Sequence, residues 1–334
     1  MRSIWGQWGS GKERKESEAM KAIVINKFGG REALQYTDVP VPEPGEGEVL
    51  VRVKAAGVNP VDWKIRGGYL KDFYPYKFPI ILGWDLAGIV EKAGYSARRF
   101  KPGDEVYAYC RRPVIQQGTY AEYVAAPESY LAARPTTVSF AESASIPLAA
   151  LTAYQSVYDA VKLKAGESIL ILAASGGVGS FAVQLAKIAG AQVIALASSK
   201  NHTYLKDLGA DATLDYASGD FRDAVKSVAP QGVDIVFDCF GAEALAKGYD
   251  CVKRGGRAVS ILVRENKEAA AKAGASHHYV FVEPNVPELD HIRSLVEAGK
   301  LKVRLSATFP LAETARAHEA METGHTRGKI ALSL

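Results

Sequence analysis

Thiol and imidazole are scarce in this sequence, and both come late. Its 334 residues hold three cysteines, at positions 110, 239 and 251, and six histidines, the first of them His202. Three scattered thiols make no disulfide framework and suit a reducing compartment, so a cytoplasmic location is expected. Apolar runs all fall well short of the ~20 residues that span a bilayer as a helix. Neither sign of charge is in excess: 41 basic and 37 acidic residues leave a net +4. Nothing there selects nucleic acid or an anionic membrane as a partner. The first nineteen residues lack the apolar core of a secretory signal, and their three glutamates argue against an organelle transit peptide. They read as a flexible extension in which Trp5 and Trp8 are the side chains suited to docking on the body; their composition favours a disordered tail.

What is present is concentrated between Ser168 and Gly190. An apolar run has the length of a buried parallel strand, expected over 168–174. It breaks at Ser175-Gly176-Gly177-Val178-Gly179. A helical pattern follows, with Phe181, Val183, Leu185, Ile188 and Ala189 apolar. Strand, glycine turn and helix in that order are the setting of a dinucleotide-binding turn. Glycines let the backbone approach a pyrophosphate, and free N–H groups at the helix start attract its charge. Ala174 stands where the usual fingerprint has its first glycine. A second strand at 192–197 follows at the βαβ distance and strengthens the assignment. That strand ends in Ser198-Ser199-Lys200-Asn201, with no carboxylate. An acid at this point normally binds the ribose hydroxyls of NAD. Two hydroxyl donors and a lysine suit a 2′-phosphate instead, so NADPH is the expected dinucleotide.

The elements divide the chain. Residues 20–147 are rich in short strands, expected at 21–26, 48–56, 88–92, 105–109 and 118–125, with turns such as Pro44-Gly45-Glu46-Gly47 between them. From 148 helices alternate with strands at 168–174, 192–197, 212–214, 234–237, 257–261 and 279–281. Six such strands are the count of a doubly wound parallel sheet. The Ala/Lys run at 267–273 reads as a solvated helix or loop. A helix over 287–297 carries proline at its first position. Strands at 303–308 and 329–333 flank a helix at 313–321. The expected organisation is an α/β protein with a flexible extension (1–19), a β-rich domain (20–147 and 288–334) and a nucleotide-binding domain (148–287).

Eight segments occur in the order of one known family: GVNPVDWKIRGG (57–68), FPIILGWDLAGIVEKAG (78–94), FKPGDEVYA (100–108), GTYAEYVAAP (118–127), SIPLAALTAY (145–154), ILILAASGGVGSFAVQLAK (169–187), KRGGRAVSI (253–261) and GHTRGKIAL (324–332). From Met20 to Leu334 the chain resembles the medium-chain dehydrogenases/reductases, in the zinc-free quinone oxidoreductase branch with zeta-crystallin, bacterial quinone reductases and plant alkenal/enone reductases. The resemblance implies a GroES-like catalytic domain, a Rossmann domain and a cleft between them. Alcohol dehydrogenases of the superfamily bind zinc through a cysteine and a Gly-His-Glu set in the first domain. Here the cysteine position falls in Asn59-Pro60-Val61-Asp62 and the second set reads Gly83-Trp84-Asp85. Zinc needs thiolate and imidazole ligands, so no metal is expected. The chemistry that remains is hydride delivery to an electron-poor carbon of a quinone, enone or enal. Two rival readings are an enoyl-thioester reductase and a crystallin-like protein that binds NADPH without turnover.

The resemblance also suggests site residues. The Asn59 amide is placed to hydrogen-bond a substrate carbonyl and stabilise an enolate. Asp62 fits either a catalytic role or the holding of backbone N–H groups. Lys64 is an ammonium near the developing charge or an exposed lysine. Tyr69 protonates or orients substrate, or is an edge aromatic. Thr152, Tyr216 and Arg327 match cofactor contacts, as does the backbone at Phe240 and Gly241; Asp238 reads as structural. A homodimer is expected, because relatives pair the last Rossmann strand across a two-fold axis.

Overall fold

The computed structural model describes residues 18–334; Trp5 and Trp8 lie outside the described residues. The first part of the chain is made of β1 (Ala19–Ile25), β2 (Gln35–Pro40), β3 (Glu48–Val58), α1 (Pro60–Arg66), β4 (Ile80–Ile81), β5 (Asp85–Ala93), β6 (Glu105–Tyr109), β7 (Tyr123–Pro127) and β8 (Leu131–Ala133). Helices α2 (Phe140–Ala144) and α3 (Pro147–Tyr154) follow, and a π-helical segment over Gln155–Ala160 extends α3. The parallel part begins with β9 (Ser168–Leu172), α4 (Gly177–Ile188), β10 (Gln192–Leu196), α5 (His202–Asp207) and β11 (Ala212–Leu214). It continues with α6 (Phe221–Val228), β12 (Val233–Asp238), α7 (Ala242–Tyr249), β13 (Val252–Ser260), α8 (Lys267–Ala273) and β14 (Ser276–Tyr279). Last come α9 (Val286–Glu297), β15 (Leu305–Pro310), α10 (Thr314–Glu322) and β16 (Lys329–Ser333).

Two large sheets result. One has six parallel strands in the order β11-β10-β9-β12-β13-β14. The order reverses beside β9, so the crevice beyond its carboxyl end is the ligand side of a doubly wound sheet. All five residues of β9 are buried, as a strand covered on both faces requires. The second sheet runs β15-β16-β3-β5-β6-β8, with β7 also pairing β3. Its strand β16 comes from the far end of the chain and lies antiparallel to β3, with Ile330 opposite Val58. That insertion sets Lys329 beside the residue pair Val58–Asn59, where β3 gives way to α1.

Two expectations need correcting, and one strand was not expected. The last parallel strand is Ser276–Tyr279, not 279–281: Arg257 pairs Ser276 and Ser260 pairs Tyr279. Beyond it Phe281 leaves the sheet and stacks on Tyr74, centroids 5.5 Å apart. The run 118–125 is not one strand. Its first half crosses over, with Tyr120 N–H donating to Leu82 C=O at 2.9 Å, and pairing with β3 begins only at Tyr123. Strand β2 was not foreseen, since its exposed and half-exposed residues carry no apolar alternation. The 267–273 run is a helix, closed by Gly274 at φ +68°, a left-handed cap that glycine takes without strain.

Two glycines of the turn before α4 play different parts. A Cβ on Gly179 would sit 2.6 Å from Ala173 C=O and 2.7 Å from Ala174 Cα, so α4 lies against the turn there with no room for a methyl group. A Cβ on Gly176 would meet Ala173 O at an ordinary 3.4 Å. Gly179→Ala is therefore expected to lower stability by about 1–3 kcal/mol, the range for forced overpacking, and Gly176→Ala to leave it nearly unchanged. Denaturant midpoints of the two variants check this; equal midpoints would refute the packing role of Gly179.

Candidate active site

The crevice at the end of β9 is built from five segments. β9 stops at Leu172, and Ala173 turns the chain with φ +56°, an uncommon conformation for a residue with a side chain. Gly176 N–H bonds back to Ala173 C=O at 3.1 Å, and Ala174 N–H is held by Leu196 C=O at 3.0 Å. The next three amides, of Gly177, Val178 and Gly179, open α4 and have no intrahelical acceptor. They form a backbone cradle of positive potential at the start of a twelve-residue helix.

The ends of β10 and β11 stand side by side, since Leu196 pairs Leu214. This brings Ser198, Ser199 and Lys200 close to Tyr216, which is exposed, as are Ser199 and Lys200. Asn201, which sequence reasoning passed over, joins the parts: its amide donates to Ser175 Oγ at 3.1 Å and to Ser198 Oγ at 3.2 Å. Asp215 was also missed. Its carboxyl is held below the ordinary range chiefly by the Ala217 N–H, with Ser199 adding to the effect. Arg327 is exposed and lies over the Tyr204 ring, 5.3 Å from its centroid. The next residue, Gly328, donates its N–H to Ser175 C=O at 2.9 Å, so the C-terminal segment reaches the glycine turn directly. On the other side Asp238 is wholly buried and its Oδ1 accepts the N–H groups of Phe240 and Gly241 at 2.9 and 2.8 Å. It shapes that loop, leaving the Phe240 ring exposed and Gly241 at φ +135°. Thr152 is buried in α3, where its hydroxyl donates to Leu148 C=O at 2.6 Å.

These residues fit a dinucleotide. The turn offers backbone donors without Cβ obstruction at Gly176, and hydroxyl and cationic groups gather where the adenosine end of such a ligand would lie. The signal for Asn201 was present in the sequence, as a polar residue after the serines, but its burial was not.

The first domain contributes a buried polar chain. Asn59 is 1% exposed; its Nδ2 donates to Asp85 Oδ2 at 2.9 Å and its Oδ1 accepts from Lys329 Nζ. Lys329, only 3% exposed, also donates to Val58 C=O at 2.9 Å. Asp85 Oδ1 accepts Leu148 N–H at 2.9 Å. Asp62 lies next to this chain, fully buried, its Oδ2 accepting Asn59 N–H and the Tyr120 hydroxyl, both at 2.8 Å. The holding of a backbone N–H is thus the role of Asp62 seen in its contacts; its Oδ1 has no partner. Burial pushes Asp62 up to about 7 and Asp85 up to about 6, and the bonds they accept pull the other way. Burial lowers Lys329, opposed by the two carboxylates.

Lys64 and Tyr69 stand apart from that chain, both against Trp63. Lys64 Nζ lies 5.8 Å from the centre of the Trp63 ring and Tyr69 packs edge-on to it at 5.7 Å. Lys64 is half-buried and burial lowers its pKa. Tyr69 is 66% exposed. Neither hydrogen-bonds Asn59, so the four proposed groups form two sets: a buried amide with Asp62, and a half-buried cation with an exposed aromatic ring, both packed on Trp63.

No group of three or more histidine, cysteine or acidic side chains suited to a metal ion occurs among the described residues, and no helix among them is long and apolar enough to cross a membrane. Residues 45–136 match the alcohol dehydrogenase GroES-like domain family and residues 208–332 a family described as zinc-binding dehydrogenase. The chain is 35% identical to a chloroplastic quinone-oxidoreductase homolog of Spinacia oleracea, over 94% of this chain and 98% of that one. It is 36% identical to a chloroplastic NADPH-dependent alkenal/one oxidoreductase of Arabidopsis thaliana, covering 93% and 78%. The structure of a quinone oxidoreductase from Coxiella burnetii superposes with a TM-score of 0.85 at 34% identity, covering 95% of this chain and all of that one. With its GroES-like sheet, its Rossmann sheet and these relatives, the chain belongs to the quinone oxidoreductase branch of the medium-chain dehydrogenases/reductases.

Proposed function

We propose that the protein is an NADPH-dependent oxidoreductase, independent of zinc, that reduces quinones or the activated double bond of enones and enals. The observation that carries this reading is the pairing of the glycine turn before α4 with a buried amide–lysine chain, Asn59 and Lys329, tied to it through Gly328. The dinucleotide supplies the hydride. On a conjugated substrate the added electron pair ends on the carbonyl or quinone oxygen, so that oxygen needs a donor or a cation and the α-carbon or second oxygen needs a proton. Asn59 keeps a second Nδ2–H beyond the one given to Asp85. Lys64 supplies charge and, with its lowered pKa, a proton that leaves more readily than from an ordinary lysine. Tyr69, exposed beside Trp63, orients the substrate ring or donates in its place.

Turnover of NADPH with a panel of quinones, enones, enals and crotonyl thioester tests the reading, with metal analysis of the same preparation. Enone or quinone reduction without bound zinc is expected. Preference for the thioester would favour the enoyl-thioester reductase, and NADPH binding without turnover the crystallin-like alternative. NADPH is expected to bind more tightly than NADH through Ser198, Ser199 and Lys200, with Tyr216 and Arg327 flanking. One charge-assisted contact is worth roughly 1.5–3 kcal/mol, about ten- to more than hundredfold in affinity. Lys200→Ala should narrow the gap; equal affinities for the two nucleotides in the native protein would sink the assignment.

Lys64 gives a pH signature. Its ammonium is the active form, and burial sets its loss of a proton below the ordinary lysine value of 10.5. The rate is expected to fall as pH rises into that range, and Lys64→Met to lower the plateau and remove the alkaline limb. A Lys64→Met variant that keeps both would show the side chain to be a bystander.

The subunit is proposed to pair through the edge of β14, Ser276–Tyr279, which has one sheet neighbour, β13. Such an edge is a template for a second strand. Light scattering at micromolar concentration should give twice the 35.9 kDa chain mass; a single-chain mass would exclude the pairing. A cytoplasmic location is likewise proposed on the three cysteines, all free; fractionation that recovers the native protein inside an organelle would overturn it.

A further inference from the structure

We infer that Lys329 is a positioning residue for the proposed hydride-transfer site: its ammonium fixes the direction of the Asn59 amide, and its stem fixes that amide relative to the glycine turn. The inference rests on the function proposed above for Asn59, but its structural part stands apart from it.

An amide side chain has two ends of similar size, and a buried one is oriented by what it meets. Around Asn59 the partners are unambiguous. Lys329 Nζ is a donor without acceptor capacity and sits on Oδ1. Asp85 Oδ2 is an acceptor and sits 2.9 Å from Nδ2. Ammonium, amide and carboxylate thus form a chain in which the amide dipole lies along the field of two opposite charges. A flip of the amide would face N–H to N–H at one end and oxygen to oxygen at the other. Lys329 and Asp85 are not in direct contact; the amide bridges them. Both are almost wholly buried, where unscreened charges act strongly on a dipole.

The other end of Lys329 meets the cofactor turn. A Cβ added at Gly177 would lie 2.9 Å from Lys329 Cδ, so the lysine stem passes directly against the first residue of α4. One residue earlier Gly328 N–H holds Ser175 C=O. The same side chain therefore touches the turn that faces the dinucleotide and the amide proposed to face the substrate. β16 is fixed on both sides, by β15 and by β3, so Lys329 works from a rigid strand.

Two readouts test this. The first needs no turnover: the Asn59 side-chain amide signals in proton–nitrogen spectra, assigned by their loss in Asn59→Ala. Lys329→Met keeps the length of the stem and removes the ammonium; it should shift those signals and speed their exchange with solvent. The second is kinetic. Lys329→Met should lower kcat tenfold or more, with the NADPH Kd changed less than threefold, and should cause no further loss in the Asn59→Ala background. Unmoved amide signals in folded Lys329→Met would overturn the inference. So would an equal fractional loss of kcat with and without Asn59, or a loss confined to NADPH affinity, which would make Lys329 a cofactor contact only. If the native protein reduces nothing on the panel while the amide signals shift as expected, the proposed function fails and the positioning role stands. Should Lys329→Met not fold, Asp85→Asn with Lys329→Met removes both buried charges together, and the same measurements against Asp85→Asn alone decide the matter.

Discussion

The return of the chain's last strand into its first sheet is the constraint on which the site depends. β16 pairs with β3 between Ile330 and Val58, across some 270 residues of intervening chain. Without that pairing Asn59 would have no ammonium beside it. The pairing carries a buried lysine into a strand whose next three residues, Ile330, Ala331 and Leu332, are core. A buried cation is tolerated only with compensating charge or hydrogen bonds. Asn59 and the Val58 carbonyl supply the bonds, and Asp85 and Asp62 the charge. The polar chain is thus required by the topology as much as by any chemistry at the site.

That arrangement is poised electrostatically. Burial raises Asp62 to about 7 and Asp85 to about 6, so near neutrality one lysine faces two carboxyls that together carry less than two negative charges. The sign of the stability effect follows. Groups whose folded pKa lies above the unfolded value hold their protons more tightly in the folded protein. Their contribution is whole below the ordinary carboxylate value of 3.8 and is lost progressively as pH rises from there, the loss being complete only above about 6 for Asp85 and about 7 for Asp62. The bonds from Asn59 N–H, Tyr120 and Leu148 N–H keep the shifts from growing larger. An acid engaged in this way is suited to holding α1 in place. Its lone unpartnered oxygen, Asp62 Oδ1, is the part of the cluster that burial penalises.

Much of the fold was legible because the parallel sheet writes itself as runs of apolar residues. β9, β10 and β12 are fully or nearly fully buried along their length, and a strand covered on both faces has no choice of composition. The glycine turn was legible for a different reason: Gly179 is excluded from carrying a side chain by the backbone beneath it. Where only one face is covered the signal faded. β2 is largely exposed, and its pairing with β1 is set by position rather than by hydrophobic pattern. The end of β14 misled because Val280 and Phe281 look like strand. Val280 packs against the main core, and the Phe281 ring meets Tyr74 and the Arg111 guanidinium, 5.0 Å from the ring centre. Local composition reports that a residue is buried; it does not report by what.

The same limit explains which site residues could be read. Candidate residues that lie close together in sequence could be named from it: the turn glycines, the serines after β10, and Asn59 with Asp62 three residues on. Those joined only across the topology could not. Lys329 in GHTRGKIAL reads as an ordinary lysine at a strand start, and only the placement of β16 turns it inward. Asn201 reads as one more polar residue after a strand, and only its burial shows it bonding Ser175 and Ser198 together. Asp85 was noted for what it replaced and not for what it does, which is to take one end of an amide whose other end belongs to the last strand of the chain. A site assembled at the junction of two sheets takes its orientation from the pairings that join them, and those pairings lie between segments far apart in the sequence.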